Sequence, residues 1–357
     1  MKINAKNERI KRQYFERLKE ASQKSEATVN NVRKSLLRYE SYTKFQDFAT
    51  FNKQKAIAFK KYLASSNAQQ TGKPLSVSTL YSTMNHLKEF FKWLAYQPGY
   101  KSRIDLYDTD YFNLSEKEVR AAQSSGYKDY PTLEQVHKTI FSMPSNTEIE
   151  KRNQALVAFT ILTGIRDGAI ASLKLKHINL EKGLVMQDPR EVKTKASKRI
   201  DTYFFPVGDD IKQIVINWVN YLIKEKLFSL NDPLFPRTKL IHDENSAFIA
   251  SGVAPVAWTS ASQIRQIFKE AFTAAGIRYY SPHRFMDTLA ALGETLCHTS
   301  EQIKAWSLNY GHSKVITTLK SYGYMDVHKQ GEVMKKIGNC TNTITDDKLR
   351  LLREILG

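Results

Sequence analysis

Apolar residues recur every three or four positions through most of this chain, and that spacing predicts a largely helical protein. The clearest case is Leu80, Met84, Leu87, Phe91 and Leu94, which step down one face of a helix that Ser78 or Thr79 can cap and Pro98-Gly99 ends. Upstream, the pattern predicts a basic amphipathic segment over 7–21 and a helix over 25–42, with Val29, Val32, Leu36 and Leu37 on one side and Arg33 and Lys34 on another. A third helix is expected over 52–65, carrying Lys53, Lys55, Lys60 and Lys61, and Gly72 and Pro74 mark the loop that follows it. Residues 1–110 thus read as an all-α domain with basic outer faces. The pattern then turns polar and irregular, so 111–130 is expected to be a linker, with a short helix over 115–123.

Periodicity returns at Thr132 and Glu134, which begin a helix over 133–142. An apolar helix over 153–162 runs into Thr163-Gly-Ile-Arg166 and a further helix through Leu173. Only here does the pattern shift toward strands: 184–187, 190–194 and 199–207 are rich in β-formers, with Lys195-Ala-Ser-Lys198 as a turn. Helices resume over 211–224, with Ile214, Val215, Trp218 and Leu222 inward, and over 260–275, closed by Gly276; Asn231-Asp-Pro233 and Phe235-Pro236 make a loop between them. From Arg278 to Tyr324 three short helical runs follow. The first starts after Pro282 and shows Phe285, Leu289 and Leu292 on one face, with Gly293 as an early stop or a soft point; the second ends near Gly311-His312; the third leads to Tyr322. A tail helix over 345–356 shows Leu349, Leu352, Ile355 and Leu356. The fold class is therefore mainly α with a small antiparallel sheet (α+β), divided as 1–110, a linker over 111–130, a second domain over 131–340 and a tail over 341–357.

Charge changes what the helices are for. With 54 Lys and Arg against 36 Asp and Glu in 357 residues, the net charge of +18 makes a polyanion the expected partner. Cys297 and Cys340 lie in no metal-binding or disulfide spacing, and no apolar run is long enough to span a bilayer, so a reducing, cytoplasmic or DNA-associated setting is expected.

The C-terminal stretch concentrates chemistry. His283, Arg284, His312, several lysines and Tyr322 all fall in the one stretch from Arg278 to Tyr324, a set able to attack, protonate and neutralise a phosphate. Singly, each has a blander reading: Tyr322 as a half-buried core residue, His312 as a helix end, Pro282-His283 as a helix start. In order, Pro282-His283, Gly311-His312-Ser313 and Tyr322, preceded by Thr163-Gly-Ile-Arg166, resemble the signature of the tyrosine recombinase (phage integrase) family.

The resemblance has motif support from Pro131 to Met325 and implies a catalytic domain preceded by a helical domain that clamps duplex DNA. It implies Arg166 as a phosphate-gripping arginine, a hairpin lysine as the acid on the leaving oxygen, and His283 and His312 as phosphate donors or proton-transfer aids. Tyr322 matches the nucleophile that forms a 3′-phosphotyrosyl link. Among the hairpin lysines, Lys195 stands at the start of the turn; Lys193, Lys198, Arg284, Lys60 and Lys61 are expected to touch DNA. No metal or other cofactor is implied, and protomers are expected to act as a homotetramer on two double-stranded DNA sites. Two positions depart from the family: Ala169 stands where an acidic residue is usual, and Met286 where the second arginine is usual. Arg284, two residues earlier, faces roughly 200° away on a helix. A cleavage-impaired DNA-binding descendant and a type IB topoisomerase are the alternative readings.

Overall fold

The computed structural model describes residues 3–67, 72, 74–123, 129–194, 197–242, 248–312 and 331. The chain divides into two compact units, Met1–Gly126 and Tyr127–Gly357.

The first unit is helical: α1 (Ala5–Glu20), α2 (Glu26–Tyr42), α3 (Lys53–Ala64), α4 (Val77–Leu94) and α5 (Glu116–Gln123). Polar caps set where these helices start. Asn4, Ser25 and Asn52 each accept backbone N–H groups at the first turns of α1, α2 and α3. The cap of α4 is Ser76, which accepts from Thr79 N, rather than Ser78 or Thr79; the helix already begins at Val77. The apolar faces meet in a core of aromatic rings. Tyr39 lies edge-on to Phe59 and Phe91 at 5.1 and 5.2 Å, and Phe51 stacks on Phe91 at 3.9 Å. Under this core sits a buried polar knot in which Glu40 accepts from Lys11 Nζ at 2.6 Å and Asn7 Nδ2 at 3.1 Å. The stretch expected as a linker carries part of this unit. A 3₁₀ turn over Leu106–Phe112 buries Phe112 against Phe51 with ring centroids 5.4 Å apart, and α5 packs on α4.

The second unit is built around α7 (Glu148–Thr163), which follows α6 (Leu133–Phe141). From Ala155 to Thr163 every residue of α7 is buried, so this helix is apolar all round rather than striped. Thr147 and Glu150 form its capping box, five residues earlier than the apolar run alone indicates. After the short α8 (Asp167–Ile170) come β1 (Ile178–Asn179), β2 (Leu184–Gln187) and β3 (Ile200–Tyr203), an antiparallel sheet with Val185 opposite Ile178 and Thr202. Residues 190–194, expected as a strand, form an irregular connector instead. Pro189 cannot donate to a ladder, and Asp188 turns the chain by accepting from the backbone N–H of Arg190 through its side chain and of Val192 through its carbonyl.

Beyond α9 (Asp209–Lys224), a second hairpin, β4 (Thr238–His242) and β5 (Phe248–Val253), occupies a stretch for which the sequence pattern indicated no strand. Its Leu240, Phe248 and Ile249 stay exposed, so there is no in-out alternation to reveal it. The unit then runs through α10 (Ser262–Ala274), α11 (Arg284–Leu296) and α12 (Ser300–Asn309). Gly293 lies inside α11 and does not end it. Among the described residues no helix is long and apolar enough to cross a membrane. The third C-terminal run and the tail helix lie outside the described residues.

Candidate functional site

The site is assembled around the end of α7. Thr163 donates its hydroxyl to Phe159 O at 2.7 Å and accepts from Ile165 N at 3.3 Å, which folds the chain back on itself. Gly164 follows in the left-handed region, φ +62°. A Cβ there would lie 3.1 Å from Leu289 Cδ1 and 3.5 Å from Phe205 and Tyr310. Glycine therefore lets this turn press against α11, the segment after β3 and the end of α12 at once. Two residues on, the turn delivers Arg166, half-exposed and extended, to the start of α8.

Pro282 and His283 form the turn that opens α11. Arg284 N and Met286 N donate to Ser281 O and His283 O at 2.8 and 3.2 Å. His283 is exposed. Met286 is 2% exposed, within the apolar core, and its carbonyl accepts from Tyr310 Oη at 3.3 Å. Arg284 is the first helical residue, and its Nη1 lies 2.8 Å from Oδ2 of the buried Asp287. The guanidinium thus leans along the helix toward Asp287, the neighbour of Met286, although its Cα points elsewhere.

At the end of α12, Asn309 acts like an extra strand for β3, accepting from Tyr203 N at 2.7 Å and donating to Tyr203 O at 2.9 Å. Gly311, with φ +75°, closes on β3, where a Cβ would come within 2.7 Å of Ile200. His312 follows half-exposed, its ring 5.7 Å from that of Tyr310. The segments bearing Arg166, His283 and His312 are therefore packed together through Gly164, Leu289 and Tyr310.

The connector between β2 and β3 is pinned to the unit by charge. Glu191 draws Lys176 Nζ to 2.8 Å and Lys174 Nζ to 3.1 Å, and these bonds hold its carboxyl down at about 2. Val192 is buried, and Lys193 N donates to Ser172 Oγ at 2.9 Å. The side chains of Lys193 and Lys198 are exposed; Lys195 lies outside the described residues, as do Tyr322 and Tyr324. In the first unit Lys61 is exposed, whereas Lys60 Nζ donates to Asn113 O at 2.7 Å and helps fasten α3.

One cation bonded to the Arg166 turn escaped the sequence reading. Arg265, in the first turn of α10, donates through Nε to Asp167 Oδ2 at 2.7 Å. The partners are 98 residues apart, and nothing in the periodicity of α10 distinguishes this arginine from any other on a polar face. Tyr279 stands near the pair; burial raises its hydroxyl, while Arg265 lowers and Asp167 raises it. Among the described residues no group of three His, Cys, Asp or Glu side chains is placed to hold a metal ion.

Residues 132–327 match the model of the phage integrase family. A tyrosine recombinase XerC of Lactobacillus delbrueckii subsp. bulgaricus is 24% identical over 253 residues, spanning 70% of this chain and 72% of that protein. The XerC of Lactobacillus leichmannii is 23% identical over 252 residues, again 70% of this chain and 72% of that protein. The fold is similar to that of a lambda integrase dimer bound to a COC′ core site, with TM-score 0.57 and 14% identity over 90% of this chain and 98% of that one. It is also similar to the Tn1549 transposon integrase in complex with transposon right-end DNA, with TM-score 0.54 and 13% identity over 92% and 99% of the two chains.

Proposed function

We infer the reaction from one premise: this chain belongs to the phage integrase family, whose model matches residues 132–327. It is a tyrosine-type DNA strand-transferase of site-specific recombination. The observation that carries the detailed reading is the packing of the Arg166 turn, the His283 turn and the His312 end around Gly164, since phosphoryl transfer needs cations and donors held in one place.

In this reading the Tyr322 hydroxyl attacks a DNA phosphorus, in line with the 5′ oxygen of the next nucleotide. Charge builds on the non-bridging oxygens, where Arg166 grips and His283 and His312 donate. Lys195 gives its proton to the departing 5′ oxygen. The products are a 3′-phosphotyrosyl link and a free 5′-hydroxyl; attack by a partner strand's hydroxyl reverses the step and rejoins the DNA. The covalent link conserves the energy of the phosphodiester, so the exchange needs no nucleotide hydrolysis. Lys193, Lys198 and Lys61 touch phosphates of duplex DNA in the cytoplasm, and four protomers act on two sites.

Met286 motivates a second reading, in which the chain binds DNA but cleaves poorly. Its side chain is neutral and buried, so it brings no charge to a phosphate oxygen. Loss of one such donor typically slows a reaction by about 10²–10³. A nicked suicide duplex, selected from a random pool for binding to this protein, separates the readings. A covalent adduct on a denaturing gel that disappears in Tyr322→Phe supports strand transfer. Tight binding by the parent with no adduct refutes it in favour of the second reading.

A further inference from the structure

We propose that Arg265 grips the DNA phosphate beside Arg166 and so supplies the cation that the chain lacks at Met286. This rests on the strand-transfer reading above. The starting point is a shortfall: Met286, where the family resemblance implies a second arginine, is sealed into the core and brings no charge to the phosphate.

Arg265 meets three requirements for filling that gap. It is tied to the Arg166 turn, because its Nε bonds to Asp167, the residue immediately after Arg166. It has donors to spare. A guanidinium carries five N–H groups, one is used on Asp167, and Nη1 and Nη2 make no hydrogen bond among the described residues. It is also held and accessible. The side chain of Asp167 is 23% exposed and accepts from Gly168 N at 2.8 Å, so its carboxylate is an anchored post, while the Arg265 side chain is 60% exposed. Anchoring one edge of the fork leaves the other edge aimed outward with little rotamer freedom to lose on meeting a phosphate. Lys269, one turn further along α10, is exposed on the same face and extends the positive surface. Arg284 is the competing candidate, but its side chain is only 18% exposed and is drawn onto the buried Asp287. Arg278 is paired with Asp129 and leans over the Tyr280 ring, and among the described residues no contact ties it to the Arg166 turn.

The test compares Arg265→Gln, Arg265→Lys, Asp167→Asn and Arg284→Gln with the parent, on the selected duplex. One readout is the slope of log binding constant against log salt; the other is the rate of adduct formation on the nicked form. Arg265→Gln is expected to flatten the slope by about 0.9, the loss of one phosphate contact. It should slow adduct formation by about 10²–10³. Lysine should restore the slope but not the full rate, since a point charge cannot span two oxygens. Asp167→Asn should keep the slope, because it loosens the anchor without removing the cation; a mere structural tie would make it behave like Arg265→Gln. An unchanged slope in Arg265→Gln overturns the proposal, and so does a flattened slope with an unchanged adduct rate, or a loss that appears in Arg284→Gln instead. A parent that binds without forming any adduct refutes strand transfer itself and the catalytic half of this proposal with it, while the slope still decides the phosphate contact.

Discussion

Replacing Gly293 by alanine should destabilise the second unit, against the usual sign of that substitution. In a helix interior, alanine is ordinarily better than glycine by about 1 kcal/mol. Gly293 has helical neighbours on both sides, so backbone conformation is no obstacle. The obstacle is Trp306. A Cβ on Gly293 would lie 2.6, 2.7 and 2.9 Å from its Nε1, Cε2 and Cδ1, well inside contact distance. The indole cannot easily swing away, because Phe205 packs on it with ring centroids 4.8 Å apart and Nε1 donates to Tyr310 Oη at 3.3 Å. Overpacking of this kind costs about 1–3 kcal/mol, and losing the indole hydrogen bond adds about 1 kcal/mol. Set against the helical gain, the net loss is about 1–3 kcal/mol. For a unit of this size each kcal/mol moves Tm by about 2–4 °C, so thermal unfolding should show a fall of several degrees. Adduct formation should fall too, since Tyr310 links α12 to Met286 O and to the Arg166 turn. In a Trp306→Leu background the same change should cost far less, giving a coupling of about 0.5–3 kcal/mol in a double-mutant cycle. A Gly293→Ala protein with a Tm equal to or above the parent's would refute the close approach of α11 and α12 on which the site geometry rests.

Two further substitutions probe the supports of each unit. Glu40→Ala leaves Lys11 and Asn7 facing each other without their shared acceptor, and should cost about 3 kcal/mol, the low end for a broken buried pair because Glu8 still reaches Lys11 at 2.6 Å; urea unfolding of the first unit measures it. Glu191→Gln should matter only where Glu191 is ionised. Its folded value of about 2 lies below the ordinary 4.5, so its contribution to stability is full above pH 4.5 and is lost as the pH falls toward 2. Parent and variant melting temperatures should therefore differ at neutral pH and converge at pH 2, and a constant gap across that range would show that the Lys174 and Lys176 bonds are not its source.

What the sequence disclosed and what it withheld divide along physical lines. Helices with one apolar stripe, such as α4 and α9, are legible because burial on one side writes a 3.6-residue period into the chain. Arg166, His283 and His312, which the proposed reaction aims at a phosphate, are legible because each sits in a short local motif. The second hairpin was not, because Leu240, Phe248 and Ile249 face solvent and leave no alternation. The role of Gly293 was hidden as well, since a glycine that admits a distant indole looks in sequence like one that ends a helix. The Arg265–Asp167 pair spans 98 residues and could be found only once α10 had been folded onto the Arg166 turn.

The burial of Met286 bears on whether this chain needs an arginine there. The same unit shows what it takes to hold a buried arginine. Arg152 is 1% exposed and is supported by Pro236 O, Thr238 Oγ1 and Asn153 Oδ1, with Trp258 beneath its guanidinium at 5.2 Å. Even so, burial pulls its value down to about 10, a sign that desolvation still opposes the charge. Around Met286 the neighbours are the apolar core, and its own carbonyl is already engaged by Tyr310. An arginine there would have to reach outward to a phosphate to be satisfied, and without DNA it would strain the packing that aligns α11 with Gly164. A methionine keeps that alignment intact in the absence of DNA, at the expense of one charge. On the proposal that Arg265 supplies the missing charge, the cation stands on α10, anchored on Asp167 and open to solvent, while the packed face of α11 stays apolar.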